Sequence, residues 1–168
     1  MASGIRQLDL PDADAFIALR REALETEPLA FGASVEDDVA LVPESVRATL
    51  GNREERAIFG RFDDAALVGM IALMRASKVK ERHKAMIWGM YVTPRARGRG
   101  AGRALLDAAI ARAREWGLEQ VHLSVTDAAP RAGRLYEAAG FRQWGRAARS
   151  LHWKGRFADE IHLVLELT

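Results

Sequence analysis

The residues best placed to do chemistry are the run Arg97-Gly98-Arg99-Gly100-Ala101-Gly102. Before it, Ala85 to Val92 is apolar and strand-prone; after it, Arg103 to Trp116 has the period of an amphipathic helix. A glycine-rich loop that opens a helix offers phosphate a set of outward N–H groups and the positive end of the helix dipole. Glycine also lets a ligand approach the backbone closely. Arg95, Arg97, Arg99 and Arg103 surround the loop and match a polyanion.

Other phosphate loops fit poorly. A dinucleotide loop needs G-x-G-x-x-G after the first strand of a βαβ unit, with an acidic residue about twenty positions on. Here Gly98, Gly100 and Gly102 alternate, the loop follows a strand of an antiparallel meander, and Glu119 precedes the next strand instead of ending it. A nucleoside-triphosphate loop needs Lys followed by Ser or Thr, a pair this chain lacks. An RNA-binding arginine-glycine segment belongs in a disordered repeat, not inside a fold. The plain alternative is a tight strand-to-helix turn with solvated arginines.

The elements that must position this loop follow from pattern. Ile5 to Leu8 is a strand, and Asp12 or Asp14 can cap a helix to about Glu25 with Phe16, Leu19 and Ala23 on one face. Thr26 to Val42 is a substrate-side loop, and Pro43 starts a second helix to about Leu50. Ala57 to Phe62 and Ala66 to Arg75 are antiparallel strands around Asp63-Asp64, and Ala85 to Val92 is the third. The long helix buries Leu105, Leu106, Ala109, Ile110 and Ala113 and stops at Gly117. Val121 to Thr126 is a strand, and Pro130 opens a helix with Ala132, Leu135, Tyr136 and Ala139 on one face. Phe141 to Trp153 and Phe157 to Leu167 form a hairpin around Lys154-Gly155-Arg156. The order is βααβββαβαββ, and residues 1–168 read as one domain without repeats or linkers.

Composition narrows the classes. With 49% hydrophobic and 29% charged residues the chain is globular, and a net charge of +2 does not argue for nucleic acid. Apolar runs are too short to span a bilayer, and Met1 to Arg6 does not read as a signal peptide. There are no cysteines, and the four histidines are scattered, which argues against a metal site. A cytoplasmic protein is the expectation.

The stretch from Met90 to Leu106 resembles motif A of the GNAT superfamily of N-acetyltransferases, (Gln/Arg)-x-x-Gly-x-(Gly/Ala), which falls on Arg97, Gly100 and Gly102. Leu135-Tyr136-Glu137-Ala138-Ala139-Gly140-Phe141 is similar to the family's Leu-Tyr-x-x-x-Gly-Phe signature. The blocks are one helix and one strand apart, as in small single-domain bacterial members. The resemblance implies an α/β (α+β) fold with a mixed, mostly antiparallel sheet of about seven strands and helices on both faces. It implies acetyl transfer from acetyl-CoA to an amine. The pyrophosphate would lie over the N–H groups of Arg97, Gly98, Arg99, Gly100, Ala101 and Gly102, screened by the arginines, Arg103 included. Strands Ala85–Val92 and Val121–Thr126 would splay at a bulge, and Met90, Tyr91 and Val92 would hydrogen-bond the pantetheine arm. Tyr136 would protonate the departing thiolate as general acid; periodicity alone makes it a core tyrosine.

The general base is not singled out. Glu36, Asp127, His122 and His162 are candidates, and each has a plain role as loop, cap or strand residue. The family often has asparagine seven residues before the tyrosine, where this chain has Ala129; Asp127 or Thr126 could replace part of its contact. The acceptor, a small-molecule or peptide amine, would enter beside the first two helices, the loop from Glu27 to Val42 and the final hairpin. Glu36, Asp37 and Asp38 could attract a cation, and Trp88, Trp144, Trp153 and Phe157 could line an apolar pocket. The hairpin edges could pair two subunits into a homodimer. The alternative from another class is a non-catalytic acyl-CoA-binding module; no nucleic-acid or membrane partner is expected.

Overall fold

A computed structural model describes residues 4–168, so the leader reading of Met1 to Ser3 lies outside the described residues. The element order is β1 (Gly4–Gln7), α1 (Ala13–Thr26), α2 (Pro43–Gly51), β2 (Arg56–Asp63), β3 (Ala66–Arg75), β4 (Lys84–Val92), α3 (Ala101–Glu115), β5 (Gln120–Thr126), α4 (Pro130–Ala138), β6 (Arg142–Trp153) and β7 (Arg156–Glu166). This is the βααβββαβαββ order expected from the sequence.

Seven strands form one sheet in the order β1-β2-β3-β4-β5-β7-β6. Every neighbouring pair is antiparallel except β4 and β5, which the α3 crossover makes parallel. One core lies between the sheet and α3, built on Leu105, Leu106, Ala109, Ile110 and Ala113 with Val121, Leu123 and Val125 of β5. A second core, with Phe16, Leu19 and Ala23 of α1 and Val46 and Leu50 of α2, meets Ile58, Met70, Ala72 and Tyr91 on the other face. Helices therefore cover both faces, and the inward residues of α1 and α3 follow the helical period.

Two local expectations change. Asp12 precedes α1 without a side-chain cap bond. Its carboxylate instead accepts from the Asp9 N–H at 2.8 Å and from both ends of the Arg6 guanidinium, at 2.7 and 2.8 Å, closing the short 3-10 turn Leu10–Asp12. The Arg6 guanidinium holds that carboxyl below the usual carboxylate range. The final hairpin closes through Lys154-Gly155 alone, because both adopt positive φ (47° and 79°), and Arg156 already belongs to β7.

The feature that positions the site is a breach in the sheet centre. Parallel pairing of β4 and β5 runs through Lys84–Gln120, Ala85–Val121 and Met86–His122, and then stops. On the other side of β4, Met70 faces Tyr91 while Ala72 faces Trp88, so β4 carries one extra residue between Trp88 and Tyr91. That is a β-bulge, and Gly89 absorbs it at φ 66°. The bulge bends β4 away from β5 and leaves the far halves of both strands apart.

Candidate active site

A cavity of about 940 Å³ occupies the breach. Its walls are the end of β4, the glycine loop, the start of α4, the segment after α1 and the tip of the β6–β7 hairpin. Of the residues expected to hold the cofactor, Met90, Tyr91, Val92, Arg97, Gly98, Gly100, Ala101, Gly102 and Arg103 line it. Arg99 does not: with Arg95 it lines a separate hollow beside Asp63 and Asp64.

The loop is shaped for close approach. Gly100 precedes α3 at φ 76° with no side-chain cap, so the first N–H groups of the helix are left for a ligand. A Cβ at Gly98 or Gly100 would meet nothing within 4 Å. At Gly102 the reason for glycine is different: a Cβ would stand 3.2 Å from Met90 Cε and 3.4 Å from Leu135 Cδ2. The third glycine of the run lets α3 pack against β4 and α4.

The side chain of Arg97 is a brace. Its Nε donates to the Val92 carbonyl at 2.8 Å, its Nη2 donates to Glu27 at 2.9 Å, and the guanidinium lies 5.5 Å from the Tyr91 ring centroid. It ties the loop to the end of β4 and to the end of α1. Arg103 reaches Asp107 one turn on, at 2.9 Å. Cations that the sequence reading missed also line the cavity: Arg131 and Arg134 on α4, and Lys154 and Arg156 at the hairpin tip. The 131/134 spacing on one helix face was the available signal.

Tyr136 is 5% exposed and packs edge-on against Phe141 at 5.8 Å in the core, while its neighbours Ala132 and Leu135 line the cavity. Burial raises the phenol well above its ordinary value, so it stays protonated. Ala129 lines the cavity without a polar side chain. Both suggested substitutes already have partners: the Thr126 hydroxyl donates to the Leu29 carbonyl at 2.7 Å, and Asp127 accepts from the Asp159 N–H at 3.0 Å and from Arg146 at 3.4 Å.

The four base candidates are not brought together. Glu36 sits on the rim of a second cavity with its carboxyl held low by a hydrogen bond from Ser34. Asp127 is engaged as above. His122 contacts Gln120 at 3.0 Å, and burial together with the Lys84 charge favours its neutral form. His162 contacts Ser124 at 2.8 Å and stacks on Trp144. The carboxylate that does line the large cavity is Glu27, which no motif flagged.

The second cavity, about 570 Å³, lies between the loop after α1 and the hairpin. Pro28, Leu29, Trp153 and Lys154 line both cavities, so the two meet there. Of the aromatics expected around an acceptor, Trp153 is at this junction. Trp88 instead packs edge-on to Phe16 at 6.4 Å. Trp144 is 63% and Phe157 47% exposed, because the irregular hairpin turns them out toward solvent, where they stack on His162 and His152. Asp37 caps the Ser34 turn and Asp38 pairs with Arg20, so the acidic run is largely occupied by its own loop and by α1.

Residues 16–141 match the profile of the acetyltransferase (GNAT) family. The mycothiol acetyltransferase of Propionibacterium freudenreichii is 34% identical over 108 residues, covering 59% of this chain and 35% of that protein. The enzyme of the same name from Thermobispora bispora is 51% identical over 53 residues, covering 32% of this chain and 18% of that protein. The chain thus spans about a third or less of the length of these curated relatives. A GNAT-family acetyltransferase of Streptococcus pneumoniae superposes with a TM-score of 0.87 at 22% identity, over 99% of this chain and 100% of that one. The yncA protein of Salmonella typhimurium, solved with its cofactor acetyl-CoA, superposes with a TM-score of 0.86 at 21% identity, over 100% and 95% of the two chains.

Proposed function

The chain belongs to the GNAT acetyltransferase family, and we propose that it transfers the acetyl group of acetyl-CoA to a primary amine by direct attack. The observation that carries this reading is the breach between β4 and β5, which opens beside the uncapped N-terminus of α3. The residues present suit acetyl-CoA. The loop from Arg97 to Gly102 and the first turn of α3 give N–H groups to the pyrophosphate, and Arg103, Arg131 and Arg134 supply cations around it. The unpaired halves of β4 and β5 leave backbone donors and acceptors for the amide-bearing arm. Acetyl-CoA supplies the acetyl group, and the amine nitrogen forms the new C–N bond as the C–S bond breaks.

Within that exchange, a backbone N–H near Tyr91 or Val92 polarises the thioester carbonyl. Tyr136 gives its phenolic proton to the leaving sulfur and recovers one from solvent. The Leu-Tyr-x-x-x-Gly-Phe signature supports the assignment, while burial keeps the phenol protonated and makes it a weaker acid. The ammonium proton of the acceptor leaves to water. One observation favours the second reading, a non-catalytic acyl-CoA-binding module: Tyr136 sits behind the cavity wall formed by Ala132 and Leu135. Calorimetric titration with acetyl-CoA, with NADH and ATP as controls, followed by thiol release with amines, decides between them. Selective binding with turnover supports transfer; binding without turnover supports the module; no binding removes both.

A further inference from the structure

The least expected side chain in the molecule is Arg20 on α1. It follows Phe16 by four residues on the apolar stripe of the helix, and it is 5% exposed. Its Nε donates to Asp38 at 2.6 Å. Its Cζ lies over the ring of Phe31, at 4.9 Å from the centroid, and over that of Trp88, at 5.7 Å. One terminal nitrogen of the guanidinium, Nη1, is fully buried and has no hydrogen-bond partner among the described residues. A buried donor on a charged group is costly to leave unmade. An unpaired guanidinium nitrogen packed beside two rings is chemically suited to a carboxylate.

Its location gives that nitrogen a purpose. Nη1 lies 3.7 Å from the point where a Cβ would stand on Gly89, the bulge residue of β4. Phe31, which packs on the guanidinium, separates it from the second cavity, which joins the cleft at Pro28 and Trp153. Arg20 therefore sits on the α1 face of β4, opposite α3, one residue before the segment that meets the thioester. We propose that Arg20 anchors the acceptor, taking a carboxylate that the acceptor carries close to its amine nitrogen. The acceptor class is then a small amino acid with the α- or β-amine as nucleophile, not a polyamine or a lysine side chain. The spacing agrees: Gly89 and Met90 are adjacent, so their Cα atoms stand about 3.8 Å apart, and only an anion a few bonds from the nitrogen reaches both. This inference rests on the transferase reading above.

The test uses the full chain and three matched sets: free amino acids, their carboxamides and the corresponding decarboxylated amines. Thiol release from acetyl-CoA is expected to give kcat/KM about 100-fold higher for the acids, because a polar site rejects an analogue that leaves it unpaired. Arg20→Lys keeps the charge beside Asp38 and loses the fork; it is expected to cut that preference to below about 10-fold with the acetyl-CoA Kd unchanged. Binding of the free acid is also expected to change tryptophan emission, and Trp88→Phe to abolish the change. The proposal is overturned if amides or plain amines serve as well as acids, or if Arg20→Lys lowers all three sets equally. It is equally overturned if acetyl-CoA binds but no carboxylate-bearing amine is acetylated. If Arg20→Lys does not fold, the comparison of the three sets with the unaltered protein decides alone. Failure to bind acetyl-CoA is a different result, which removes the transferase reading itself.

Discussion

The wall of the cleft formed by β4 and the glycine loop offers mainly backbone, whereas the wall formed by the end of α1, the loop after it and the hairpin tip offers side chains. The first is built by geometry: a bulge at Gly89, a left-handed Gly100 and an uncapped helix start. The second is built by particular groups, Glu27, Trp153, Lys154 and, behind them, Arg20 and Phe31. The difference teaches where each kind of specificity resides. A cofactor common to many reactions is held by peptide groups that tolerate side-chain change. An acceptor peculiar to one reaction is held by side chains on connecting segments.

The sharpest way to break this contrast is to spoil the backbone wall. Gly100→Trp places an L side chain at φ 76° over the approach to the α3 amides. It is expected to weaken acetyl-CoA binding by at least about 100-fold, or about 2.7 kcal/mol, while far-UV circular dichroism stays native. Near-normal binding in calorimetry would mean the loop is only a turn. Next in size, Tyr136→Phe keeps the ring against Phe141 and is expected to lower kcat by about 100-fold with the acetyl-CoA Kd unchanged. Because burial raises the phenol, the unaltered enzyme is expected to show no alkaline loss of kcat from Tyr136 up to about pH 10. A Phe variant that turns over normally across the pH range would sink the assignment. A smaller effect sharpens the contrast from within the loop. Arg97→Ala removes the bonds to Val92 and Glu27 and is expected to weaken acetyl-CoA binding about 10-fold, through misplacement of the loop. Arg99→Ala, whose side chain faces the β2–β3 turn, is expected to leave affinity within about 2-fold. Equal losses in the two would show that arginine charge, and not backbone placement, holds the phosphate.

The same contrast explains what was legible in the sequence. The glycine spacing, the helix that follows it and the order of elements could be read because backbone geometry restricts residue type. Glycine at φ 76° and a strand-loop-helix pattern leave few alternatives. A cation beside a phosphate loop carries no mark in the sequence of which way it points; the partners of the Arg97 side chain, Val92 and Glu27, come from other elements. Residue type points Trp144 toward an acceptor, but it is the extra residue where β6 shifts register between Gln143 and Gly145, which upsets the alternation that would turn it inward. Arg20 did leave a trace, a charge at the fourth position after Phe16 on an apolar stripe. Its pairing with Asp38, eighteen residues away across an aperiodic loop, left none.

The halt of the β4–β5 ladder at Met86 and His122 has a consequence for the motions of the protein. Central strands ordinarily exchange their amide hydrogens last, since only large openings expose them. Here the β5-facing amides of β4 beyond Met86 have no strand partner, so they are expected to trade hydrogen for deuterium at rates normally found at a sheet's margin. A bound amide-bearing arm would supply the missing acceptors. Exchange measured with and without acetyl-CoA should then slow most sharply at Gly89 to Val92, in the middle of the sheet, and far less at its outer strands.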